Sequence, residues 1–169
     1  MCKNMKILII FFGILVTLIC NVAVSAQTPE WYLQAKKIKI LKSTREDVVK
    51  VFGKPNDTDS KYLASYKYDD YSISVYYSRG LCETTKEEGW NVPELTVTKI
   101  FVSLYKKIDY RKLNLKLKRL YRKEIYDVPN AYIYYDYEKG EAYSVDSKGI
   151  LESVSLKPEQ KSSYLFCEK

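Results

Sequence analysis

Between residues 71 and 77 the side chains alternate without a break. Tyr71, Ile73, Val75 and Tyr77 fall on one face, Ser72, Ser74 and Tyr76 on the other. A period of two is the pattern of a half-buried strand, and a strand must find a partner for its backbone. The chain is therefore committed to a sheet, and further runs supply it. Residues 62–68 precede the alternating run across Asp69-Asp70, a hairpin signal. Residues 96–104 place Ile100, Val102 and Leu104 on one face. Residues 132–137 and 141–145 flank Glu138-Lys139-Gly140, and Ser147-Lys148-Gly149 turns into a last strand over 150–156. Glycines and prolines fall between these runs, as element boundaries require.

One helix is signalled ahead of the strands. Ser43 and Thr44 stand three residues before Glu46 and Asp47, the spacing of a capping box. Val48, Val49, Val51 and Phe52 supply an apolar face, and Gly53 followed by Pro55 ends it. Residues 38–41 alternate apolar and lysine side chains and are expected to be extended; residues 30–36 fit a helical turn. The fold class is α+β: an antiparallel meander of about five to seven strands with the 43–52 helix on one face.

The start of the chain has the layout of a secretory signal peptide. Lys3 and Lys6 precede an apolar run, and Val24-Ser25-Ala26 offers small residues for cleavage. Removing residues 1–26 from the 169 leaves 143, one α+β domain over 27–169 with no transmembrane segment of its own. An uncleaved anchor is the competing reading, and a lipoprotein attached at Cys20 is a third, poorly matched by Thr17-Leu18-Ile19. Cleavage takes away Cys2 and Cys20. Cys82 and Cys167 remain, and in an exported protein two cysteines most simply form one disulfide. Two free thiols are the alternative. The expected location is the periplasm or the cell exterior.

Composition removes whole classes of chemistry. There is no histidine in the sequence, which excludes serine–histidine triads and imidazole zinc sites. No phosphate loop or dinucleotide fingerprint occurs, so the sequence implies no cofactor and no metal. Asp69-Asp70 and Glu87-Glu88 are acid pairs, but turns favour acids for local hydrogen-bonding reasons. No catalytic residue is assigned.

The candidate binding residues lie elsewhere. Nine lysines and arginines between Lys106 and Lys123 face one acid, Asp109, and tyrosines are interleaved among them. Lys116, Lys118, Arg119 and Arg122 are the candidates for an anionic polymer. The plainer reading is a short strand with Leu113, Leu115 and Leu117 inward and lysines toward water. The leader makes nucleic acid the least fitting partner. The sequence holds 17 tyrosines, all beyond residue 26, a residue type suited to interfaces and to strand margins alike. Trp90 is the candidate anchor, for a partner or for its own loop.

Ser43-Thr44-Arg45-Glu46-Asp47-Val48 followed by Phe52-Gly53-Lys54-Pro55 resembles the helix-to-strand junction of SmpA/OmlA-type envelope proteins, over residues 43–77. With Gly89-Trp90-Asn91-Val92-Pro93 added, the chain is similar to a set of uncharacterised exported bacterial proteins. The first resemblance implies a small envelope module that docks on larger assemblies; it transfers no functional residue. The expected function is a non-catalytic exported module that binds an envelope protein or component. The alternatives are a small hydrolase whose carboxylates meet only in the fold, and adhesion to anionic envelope polymer through residues 106–123.

Overall fold

The computed structural model describes residues 28–82, 89–125 and 131–167. The expected leader, Glu87-Glu88 and Tyr126 lie outside the described residues. Among the described residues no helix is long and apolar enough to cross a membrane.

Two helices open the described chain. Helix α1 is Glu30–Lys37, with Glu30 in its first turn and Lys36 and Lys37 in its last, the charge order a helix dipole favours. Trp31, Ala35 and Ile38 repeat at helical spacing and are buried. Helix α2 is Arg45–Phe52. Thr44 is its N-cap, and the Thr44 backbone N–H donates to Asp47 Oδ2 at 3.0 Å, one half of the capping box. Val48 is fully buried, while Val51 and Phe52 pack on the core from its margin. The segment between the helices is a bend and a turn, not the extended run its alternation suggests. Leu41 takes a positive φ of 61° there, and its N–H is held by the Val97 carbonyl at 2.8 Å.

Eight antiparallel strands follow among the described residues: β1 Asp57–Ser60, β2 Leu63–Lys67, β3 Tyr71–Tyr77, β4 Val97–Asp109, β5 Tyr121–Glu124, β6 Ala131–Asp136, β7 Glu141–Asp146 and β8 Ile150–Leu156. They make one sheet in the order β1-β2-β3-β4-β8-β7-β6-β5. The sheet with α2 on one face is the expected α+β fold. It gains two four-residue edge strands, β1 and β5, too short and polar to show a period. The last strand, β8, inserts beside β4, so the two halves of the chain join along one central seam.

The core lies between the helices and one face of the sheet. Ile73, Val75, Ile100, Val102, Tyr143 and Val154 are almost wholly buried there. The opposite face carries a row of serines, with register aligning Ser72, Ser103, Ser153 and Ser144 across four neighbouring strands, beside Phe101 and Ile133. Strand β4 runs past the expected end at Leu104. A bulge between Ser103 and Ile108 lets Lys106 and Lys107 stand outward before pairing with β8 resumes.

The 106–123 segment does not form the alternating strand its leucines suggest. Asp109 caps a 3-10 turn, Tyr110–Leu113, by accepting from the Arg111 N–H at 2.9 Å. Asn114 then takes the left-handed conformation, φ 53°, and a second 3-10 turn covers Leu117–Arg119. The inward and outward division survives: Leu113 is buried and Leu115, Leu117 and Leu120 pack on the core.

Cys82 and Cys167 form the expected disulfide, with Cα atoms 5.5 Å apart and a sequence separation of 85. Closing a loop of that length stabilises by about 4–5 kcal/mol in the chain-entropy picture, an upper figure. Trp90 pairs with Phe166 beside it, rings 5.2 Å apart, so the C-terminal segment is fastened twice to the 78–95 connection.

Gly140 fixes the turn from β6 into β7. Its φ is +64°, its carbonyl accepts from the Lys157 N–H at 2.7 Å, and a Cβ there would lie 2.1 Å from the Lys157 carbonyl oxygen. Neither backbone can yield without parting the β7 and β8 ends. Gly140→Ala is expected to cost roughly 2–4 kcal/mol in urea denaturation, with an unchanged slope. A loss below about 0.5 kcal/mol would mean that this close approach is absent in solution.

Candidate functional site

The β6–β7 turn is where the surface chemistry gathers. Strand alternation sends Tyr135 and Ala142 to the open face and Asp136, Glu141 and Tyr143 beneath α1. Three tyrosines cluster on the open side of this end. Tyr135 and Tyr137 stack at 5.4 Å with planes 6° apart, and Tyr121 from edge strand β5 lies 5.9 Å from Tyr137. Tyr121 and Tyr137 are each more than half exposed, at 58% and 52%.

The candidate residues divide around this platform. Lys116 and Arg119 line a cleft of about 660 Å³ whose wall is Tyr121, Tyr135 and Tyr137. Trp90 lines an adjoining cleft of about 360 Å³ with Tyr135, Tyr137 and Pro158. Lys118 and Arg122 go elsewhere, into a groove with Arg111, Tyr132, Tyr134 and Lys148. Arg122 lies 4.8 Å from the Tyr132 ring centre, a cation–π contact. The structure therefore joins Trp90, Lys116 and Arg119 to one tyrosine surface and separates Lys118 and Arg122 from it. Cys82 and Cys167 serve the loop closure.

Carboxylates also line these clefts. Asp136 and Glu141 are cross-strand partners, and both border the Trp90 cleft. Asp136 Oδ2 accepts from Lys139 Nζ at 2.7 Å. Burial pushes the Asp136 carboxyl up, but the hydrogen bonds and charge of Lys139 outweigh it and hold the group below the usual range. Glu141 is only 4% exposed. Lys36 pairs with its Oε1, while the Tyr143 and Tyr32 hydroxyls donate to Oε2, the latter at 3.2 Å. Lys139 thus holds Asp136 ionised, which leaves that carboxyl unready to supply a proton near neutral pH. Among the described residues, no three His, Cys, Asp or Glu side chains gather as a metal cluster.

A third cleft, about 360 Å³, opens on the other side of Lys157. Its rim is Lys36, Lys39, Lys42, Lys139, Lys157 and Lys161. Burial and the nearby Lys99 charge lower the Lys157 pKa. Sequence reasoning missed this cluster and the Glu141 network, because their members come from α1, the turn after it, β7 and the C-terminal segment. Only the paired Tyr134-Tyr135, which must show a ring on each face, hinted at the platform. No protein-family model, curated protein or solved structure matches the chain.

The Glu141 network sets an alkaline limit on stability. Burial, with the Glu141 charge and hydrogen bond added and the Tyr143 hydrogen bond opposing, raises Tyr32 from the ordinary 10.0 to about 12. Tyr143 is raised too, first by burial and then by its hydrogen bond to Glu141. A tyrosine raised in the folded state contributes stability fully below its unfolded value, lost as pH climbs through the folded value. Stability is expected to fall between pH 10 and about 12. Phenolate absorbance should show a late step that coincides with unfolding. Complete ionisation near pH 10 of a protein that stays folded would contradict the network.

Proposed function

We propose that this chain is an exported, non-catalytic binding module that holds an anionic glycan of the cell envelope against the Tyr121–Tyr135–Tyr137 platform. The observation that carries this reading is the stacked, exposed tyrosine cluster with Lys116 and Arg119 on one wall. Ring faces carry negative charge density and attract the C–H bonds of a sugar face, while the flanking cations meet its acidic groups. Within that wall Lys139 is answered by Asp136, so among the described residues Lys116 and Arg119 are the cations left for a ligand, against Glu138. The disulfide and the leader-like start of the chain support export.

A hydrolase is the second reading, favoured by Asp136 and Glu141 facing one another at the Trp90 cleft. Both carboxylates are already engaged, Asp136 by Lys139 and Glu141 by Lys36, Tyr32 and Tyr143, which ranks it below binding.

Calorimetry with oligogalacturonate, an acidic sugar oligomer, tests the proposal. Binding should weaken as salt rises. Tyr135→Ala with Tyr137→Ala should weaken it roughly tenfold, and Lys116→Ala with Arg119→Ala by a similar factor. Unchanged affinity in both variants, or release of reducing ends by the wild type, would overturn the reading.

A further inference from the structure

The lysine cleft stands apart from the tyrosine platform in composition and in the elements that build it. Lys36 ends α1, Lys39 and Lys42 lie in the turn after it, Lys139 in the β6–β7 turn, and Lys157 and Lys161 after β8. Three separate stretches of chain, residues 36–42, 139 and 157–161, thus deliver like charges to one concavity. Repulsion among them opposes folding, and a solvated surface gives no reason to collect them.

Three of the six have an answering carboxylate: Lys36 with Glu141, Lys139 with Asp136, and Lys161 with Glu159. Lys39, Lys42 and Lys157 have none among the described residues. The floor is apolar, from Ile38, Ile40 and Leu156; Ser162 adds a hydroxyl at the rim, and Glu159 lines the cleft too, its charge met by Lys161. A low-dielectric floor beneath unanswered ammonium groups strengthens their attraction for an anion. A carboxylate has two oxygens in one plane, whereas ammonium groups arriving from several directions suit a tetrahedral anion with acceptors on every side.

We infer that this cleft is a binding site for a phosphate group, borne by a soluble or polymeric phosphate or by a lipid headgroup, with Lys39, Lys42 and Lys157 as its principal donors. The site does not depend on the tyrosine platform and stands if the glycan reading fails.

The test uses the disulfide-bonded protein from residue 27 onward. One arm titrates inorganic pyrophosphate at constant ionic strength, balanced with chloride. The other measures sedimentation with phosphatidylcholine vesicles containing phosphatidylglycerol. Saturable pyrophosphate binding assigns the site to soluble or polymeric phosphate, and capture by the vesicles alone assigns it to a headgroup. In either arm Lys42→Ala with Lys157→Ala should weaken binding at least about tenfold. Lys112→Ala with Lys123→Ala, which removes equal charge from exposed positions outside every cleft described, should change it less than about twofold. Tyr135→Ala with Tyr137→Ala should leave it intact. Absence of binding in both arms, or equal loss in the two lysine pairs, would overturn the inference.

Discussion

The interaction on which this structure turns is the buried Glu141 carboxylate. Taking a carboxylate out of water costs several kcal/mol unless its oxygens are met by donors. Here Lys36 meets one oxygen and the Tyr32 and Tyr143 hydroxyls meet the other. Lys36 and Tyr32 both belong to α1, so the same contacts that make burial tolerable also bind the helix to the end of β7. Glu141 directly follows Gly140, where the β7 and β8 backbones approach closely. One point therefore fixes the helix, the β6–β7 turn and the departure of the chain after β8.

The surface clefts inherit their walls from that junction. Tyr135 and Tyr137 lie on the strand and turn just before it, and Lys139 and Lys157 lie on either side of it. Lys139 borders both the lysine cleft and the tyrosine cleft; Lys157 borders the lysine cleft and the Trp90 cleft. Strand ends and hydrogen-bonded turns carry the three surfaces. The disulfide and the Trp90–Phe166 contact extend this support to the C-terminal segment.

Much of the framework was legible because it rests on local periodicity. The Tyr71–Tyr77 alternation, the two hairpins and the Thr44–Asp47 cap all depend on residues within one element. The end of β4 was not, because a bulge carries three exposed polar and aromatic positions through the strand and breaks its period. The leucines of the basic segment alternate by twos, yet the Asp109 cap and the left-handed Asn114 turn it into 3-10 geometry. Their inward direction could be read; their conformation could not. Trp90, Lys116 and Arg119 reach one surface, whereas Lys118 and Arg122 leave it, since a 3-10 turn separates neighbours that a strand would pair. The lysine cleft draws on three distant segments, 36–42, 139 and 157–161, and nothing in a linear pattern brings them together.

The serine row, on the sheet face away from the helices, is the natural competitor to the platform. An amide chemical-shift map of the protein titrated with oligogalacturonate separates the two most directly. The account predicts that shifts concentrate at residues 116–121 and 135–139. Shifts confined to the serine-bearing positions 72–74, 103, 144 and 153, with the tyrosine edge unmoved, would contradict it.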